Sequence, residues 1–150
     1  MKQLIKSKIE KLLTESEEVV KVEQLGGMTN SNYLVETTSN KYIVKFFGKG
    51  TDKLINRIAE KNNVANLADL GLDVKNYIFD IESGIKVNEY IENATTFDAH
   101  YLKAKKEEVA NILKKVHSSG KVLEGEFRVF DEIRKYESLI EGNINYPYYE

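Results

Sequence analysis

An α+β fold is what the sequence predicts: a five-stranded antiparallel sheet with a helix against it, then further helices. Three observations predict it. Residues 19–47 hold three short runs rich in β-branched and aromatic side chains, separated by tight turn signals, as in a meander. Residues 76–91 hold a second pair of such runs about Glu82-Ser83-Gly84. From Asp98 onward the apolar residues recur every three or four positions, as on helices.

Taken in order, residues 1–16 place Leu4, Ile5, Ile9, Leu12 and Leu13 at helical spacing with Lys and Glu between them, which predicts an amphipathic helix. Strands follow over 19–25, 32–38 and 42–47, the last two joined by the turn Ser39-Asn40-Lys41. Asp52 is the expected cap of the next helix, which runs through Leu54, Ile55, Ile58, Ala59, Ala65, Leu67 and Leu70. Gly71 ends it, because glycine tolerates the left-handed conformation needed there. Strands over 76–81 and 85–91 form the second hairpin. One long helix carries Tyr101, Leu102, Val109, Ile112, Leu113 and Val116 and stops before Gly120; another carries Phe127, Phe130, Ile133, Tyr136, Leu139 and Ile140. Pro147 sits in an aromatic-rich end, Tyr146-Pro147-Tyr148-Tyr149. A boundary near Asn93 divides residues 1–92 from 93–150.

Composition narrows the class. The 150 residues suit one domain, or a small lobe with part of a second. Apolar residues at 41% and charged residues at 31% fit an ordinary globule rather than a disordered tail. A net charge of -2 gives no support to sequence-independent nucleic-acid binding, which needs a basic surface. No apolar run approaches the roughly 20 residues that span a bilayer, so membrane insertion is not expected. Leu4-Ile5 is followed at once by Lys6, Lys8 and Glu10, which rules against a secretion signal. With no cysteine there is no disulfide, thiolate nucleophile or Cys-type zinc site, and a cytoplasmic location is expected.

The chemistry-bearing candidates begin at Gly26-Gly27-Met28-Thr29-Asn30-Ser31-Asn32, between the first two strands. A glycine pair permits positive φ and lets backbone N–H groups approach an anion, and Thr29, Asn30, Ser31 and Asn32 add side-chain donors. The same residues also make a plain hairpin turn, and read alone the stretch leaves both readings open. Lys45 lies between Ile43-Val44 and Phe46-Phe47, so its ammonium either snorkels to water or meets an anion. Glu60 on the following helix stands where a kinase glutamate pairs with such a lysine; the alternative is an exposed pair with Arg57, worth only tenths of a kcal/mol. Glu89 and Ile91, in Lys86-Val87-Asn88-Glu89-Tyr90-Ile91-Glu92, lie either on a nucleotide-binding hinge or on an edge strand leaving the sheet. His100 lies near a helix start and His117 near a helix end, where a positive charge suits the dipole, and neither belongs to a metal-ligand spacing. Glu17-Glu18 and Glu107-Glu108 read as solvated acidic residues.

In this order the motifs resemble the choline/ethanolamine kinase family, which belongs with the aminoglycoside phosphotransferase-like kinases. Gly26 to Asn32 with Tyr33 resembles that family's phosphate loop. Gly48-Lys49-Gly50-Thr51 through Leu54-Ile55-Asn56-Arg57 and Glu60 is similar to its link from the third strand to the glutamate helix, and Gly84-Ile85-Lys86-Val87 through Tyr90-Ile91-Glu92 to its hinge. The resemblance covers roughly residues 19–119. It implies a protein-kinase-like N-lobe over 1–92 followed by the first helices of a helical C-lobe over 93–150. It further implies ATP- and Mg2+-dependent phosphorylation of choline or a similar amino alcohol; an aminoglycoside or other small alcohol as acceptor, or a non-catalytic binding module on the same scaffold, is the alternative.

On that resemblance Gly26, Gly27, Met28, Thr29, Asn30, Ser31 and Asn32 contact phosphates, Lys45 is the phosphate lysine, Glu60 its ion-pair partner, and Glu89 and Ile91 the hinge contacts through their backbone. The family's catalytic His-x-Asp loop does not occur here: His100 leads to Leu102 and His117 to Ser119. No catalytic residue and no metal ligand is therefore expected among the 150 residues, which resemble an N-terminal portion inactive by itself. The apolar faces of the late helices are expected to promote self-association.

Overall fold

Residues 2–14, 16–96 and 98–142 are described by the structure, a computed structural model. The strands β1 (Val19–Leu25), β2 (Asn30–Thr37), β3 (Lys41–Phe47), β4 (Asn76–Asp80) and β5 (Ile85–Glu89) pair antiparallel in the order β1-β2-β3-β5-β4. The meander and the second hairpin thus join where β5 lies beside β3. Alternation along each strand divides the sheet into an apolar face and a mixed face.

On the apolar face, helix α1 (Lys2–Ile9) seats Ile5 and Ile9, both fully buried, against Tyr33, Val35, Tyr42, Val44, Ile85 and Val87. Each large apolar side chain buried in this way contributes about 1.5–3 kcal/mol. The helix expected over 1–16 is shorter: it passes at Glu10–Leu12 into a 3-10 turn, with Leu12 and Leu13 still packed on the core. The chain then turns into β1 at Glu17. This buried carboxylate accepts hydrogen bonds from the Thr37 hydroxyl and from Asn40 Nδ2, the latter at 2.9 Å, fastening the entry of β1 to the β2–β3 hairpin.

Helix α2 (Arg57–Asp69) is capped by Asn56 rather than Asp52. Asn56 Oδ1 accepts from the Ile58 and Ala59 N–H groups at 3.1 Å each, while Asp52 lies in a 3-10 turn entered through Gly50 at φ 79°. Leu54 and Ile55 therefore precede the helix. Its end follows expectation: Gly71 takes φ 66°, its N–H donates to Ala68 and that of Leu72 to Leu67. Its apolar residues do not form a packed stripe, since Ala59 is buried but Ile58 is exposed.

Polar contacts fix α2 instead. Asn63 both donates to the Glu124 carbonyl (2.9 Å) and accepts from the Glu124 N–H (2.7 Å). Lys121 pairs with Asp69 at 2.7 Å, and Lys115 donates to the Leu70 carbonyl at 2.5 Å, a cation at a helix C-terminus.

The single long helix expected after Asp98 is two, α3 (Ala99–Ala104) and α4 (Lys106–His117), because Lys105 leaves helical geometry at φ -110°, ψ 14°. Asp98 caps α3 by accepting from the Tyr101 N–H at 2.7 Å. Helix α5 spans Val129–Ser138. The aromatic end Tyr146-Pro147-Tyr148-Tyr149 lies outside the described residues.

Candidate functional site: a loop and two lysines on the mixed face

The loop between β1 and β2 comprises Gly26 to Thr29; Asn30, Ser31 and Asn32 already belong to β2. Neither glycine of the pair takes positive φ. Gly27 is required for another reason: an added Cβ would lie 2.2 Å from the Asn30 carbonyl oxygen. Asn32 Nδ2 donates to the Gly26 carbonyl at 2.9 Å and pins the base of the loop, while its Oδ1 is buried without a hydrogen-bond partner. Asn30 Oδ1 accepts from the Gly48 N–H at 3.3 Å, joining the loop to the end of β3. The N–H groups of Gly27, Met28 and Thr29 donate to no acceptor among the described residues. They border an open hollow of about 440 Å³, completed by Gly48, Lys49 and Thr51. Free N–H groups and a lysine at the rim make this hollow suited to an anion.

The strand registers place Asn32 opposite Lys45, and Lys45 opposite Lys86. All three side chains project from the mixed face, away from α1. Glu60 does not pair with Lys45. Its carboxylate is held by Arg57 Nη1 at 2.5 Å, and Lys45 makes no ion pair among the described residues. The Arg57–Glu60 pair is not the exposed helix pair that the spacing suggests, for Arg57 is buried. Its guanidinium lies 4.0 Å from the Phe47 ring centre and donates to Thr51 Oγ1 at 2.7 Å. Stacking and a fixed fork hold Arg57 in one place, so Glu60 is drawn to it rather than across to β3.

A run of cation, ring, ring and cation crosses this face. Phe47 meets Phe79 edge to face at 5.8 Å, and Lys86 Nζ lies 5.1 Å from the Phe79 ring. Burial, above all, pushes the Lys86 ammonium below the ordinary lysine range; Asp73 and Glu60 oppose the shift, and neighbouring Lys45 adds to it. Sequence reasoning passed over Lys86 as a cation, although Ile85 and Val87 flank it just as apolar residues flank Lys45.

At the other end of β5, the strand stops at Glu89, two residues short of expectation. The Glu89 N–H donates to the Lys75 carbonyl at 2.9 Å, whereas the Ile91 N–H donates to no acceptor among the described residues. Lys41 pairs with Glu92 at 2.9 Å and lies over the Tyr90 ring, tying the start of β3 to the chain leaving β5.

His100 lies in the first turn of α3 and His117 ends α4. Among the described residues no three histidine or carboxylate side chains group as metal ligands. No helix among the described residues is long and apolar enough to cross a membrane.

Comparison with known proteins places this geometry. The family model described as Choline/ethanolamine kinase matches residues 21–149. Protein LicA of Haemophilus influenzae is 36% identical over 120 residues, which cover 79% of this chain and 35% of that protein. The solved structure of choline kinase LicA from Streptococcus pneumoniae is 61% identical with a TM-score of 0.89, covering 99% of this chain and 51% of that one. A structure of LicA in complex with AMP is 62% identical with a TM-score of 0.84, covering 98% and 51%. The chain thus spans about half the length of these solved structures and about a third of the curated relative.

Proposed function

This chain belongs to the choline/ethanolamine kinase family, and from that premise we propose that it supplies the nucleotide-holding part of an ATP-dependent kinase whose acceptor is choline or a similar amino alcohol. One observation carries the reading: the donor-rich loop Gly26 to Thr29 leads into β2, which pairs with the strand of Lys45, and Asn32 of β2 stands directly opposite Lys45. A similar LicA is solved in complex with AMP, which supports nucleotide binding. The loop N–H groups with Thr29, Asn30, Ser31 and Asn32 bind phosphate oxygens, Lys45 neutralises them, and backbone groups of Glu89 and Ile91 orient the base. Residues 1–92 form the nucleotide lobe and 93–150 the start of a helical lobe in a cytoplasmic enzyme.

In such a transfer the γ-phosphoryl group of ATP passes to the acceptor hydroxyl with ADP as the leaving group, and catalysis consists mostly of positioning and charge neutralisation. The residues named here bind and orient. The base that takes the hydroxyl proton and the ligands of the magnesium accompanying ATP lie outside the 150 residues. Glu60 acts from α2, through its hold on Arg57.

Titration with ATP and magnesium tests the reading. Binding is expected for the unaltered protein, and Lys45→Ala should weaken it about tenfold or more, the loss of a hydrogen bond to a charged group. Equal binding by the variant refutes the role of Lys45. No binding by the unaltered protein refutes the nucleotide reading.

A further inference from the structure

Lys86 has no task in phosphate binding as assigned above, yet the chain buries it at a cost. It is 7% exposed, between the core residues Ile85 and Val87, and opposite Lys45 in the β3–β5 ladder. Like charges facing across a ladder destabilise it, and a buried ammonium without a partner costs more still. Among the described residues Lys86 forms no hydrogen bond and no ion pair, only the contact with the Phe79 ring.

The two neighbouring carboxylates are engaged elsewhere. Glu60 is held by Arg57, and Asp73 accepts from the Val74 N–H at 2.8 Å and from Asn76 Nδ2 at 3.0 Å. Two ammonium groups thus stand side by side on the mixed face with no carboxylate bound to either. A methionine or leucine at residue 86 would fill the same space without the electrostatic cost. What offsets that cost is an anion with charge enough for both lysines.

The geometry points to Lys86 as a second phosphate-binding residue that, with Lys45, clamps a ligand carrying two or three linked phosphates, a nucleoside di- or triphosphate in preference to a nucleoside monophosphate. This rests on the nucleotide reading above and extends it. The charged groups around Lys86 are Lys45 of β3, Glu60 of α2 and Asp73 ahead of β4, with the Phe79 ring of β4.

Calorimetric titration of the intact protein with ATP, AMP and adenosine tests this. Lys86→Met should weaken ATP about tenfold or more, weaken AMP less and leave adenosine unchanged. Lys86→Arg should recover part of the ATP affinity. Should Lys86→Met fail to fold, Lys86→Gln carries the same expectations. ATP binding by Lys86→Met equal to that of the unaltered protein, while Lys45→Met loses it, overturns the clamp and leaves the nucleotide reading standing. An equal loss for adenosine and ATP assigns Lys86 a structural role and overturns the clamp as well. Failure of the unaltered protein to bind ATP overturns the nucleotide reading.

Discussion

At Gly27 an added Cβ would meet the Asn30 carbonyl oxygen at 2.2 Å, and at Gly48 the Thr29 carbonyl oxygen at 1.9 Å, whereas at Gly26 it would meet nothing within 4 Å. Backbone atoms cannot swing aside as side chains do. Gly27→Ala and Gly48→Ala should each cost about 1–3 kcal/mol, as overpacking does, while Gly26→Ala should leave the urea midpoint near its starting value. Equal midpoints for all three variants would refute the close approach. At this scale the sequence spoke through type and neighbourhood. Lys45 was legible because a charged residue in an apolar strand demands explanation, and Lys86 carries the same signal. The partner of Glu60 was not legible, because Arg57 and Lys45 are both within its reach on paper. What decides between them is the Phe47 ring under the guanidinium, a contact between residues ten apart in the chain.

Among the elements, the strands were readable from β-branched and aromatic runs between turn signals, and on β2 and β3 buried residues alternate with less buried ones as such runs allow. Helix α2 shows where such a pattern misleads: its leucines and alanines suggested a packed stripe, but polar contacts to Glu124, Lys121 and Lys115 hold it. Cap choice likewise turned on geometry, as Asp52 and Asn56 are both good capping types and Gly50 bends the chain between them and the loop. The β2–β3 hairpin carries a pH dependence. Hydrogen bonds from Thr37, then Asn40, hold the Glu17 carboxyl below the usual carboxylate range. Stability from a lowered carboxylate pKa is complete above the unfolded-state value and lost as pH falls through the folded-state one. Glu17→Gln should therefore unfold at lower urea than the unaltered protein at neutral pH, with the gap closing in acid. A gap that stays constant with pH would count against this role.

For the whole molecule, the sheet half buries its apolar face and the helical half does not. Ile112 and Leu113 on α4 and Phe130 and Tyr136 on α5 remain exposed, and exposed apolar side chains favour association. We expect a mass that rises with concentration in light scattering, reduced by Leu113→Glu or Phe130→Glu. A single monomeric mass at every concentration would contradict it. The junction of the two halves works on different terms. Asn63 grips Glu124 through its peptide N–H and carbonyl, and only Asn62 reads the carboxylate, at 2.6 Å. A grip on the main chain is indifferent to most side chains, so residue 124 is free to drift to anything but proline, whereas residue 63 is not. The segment laid along α2 can thus diverge in sequence while its placement stays fixed.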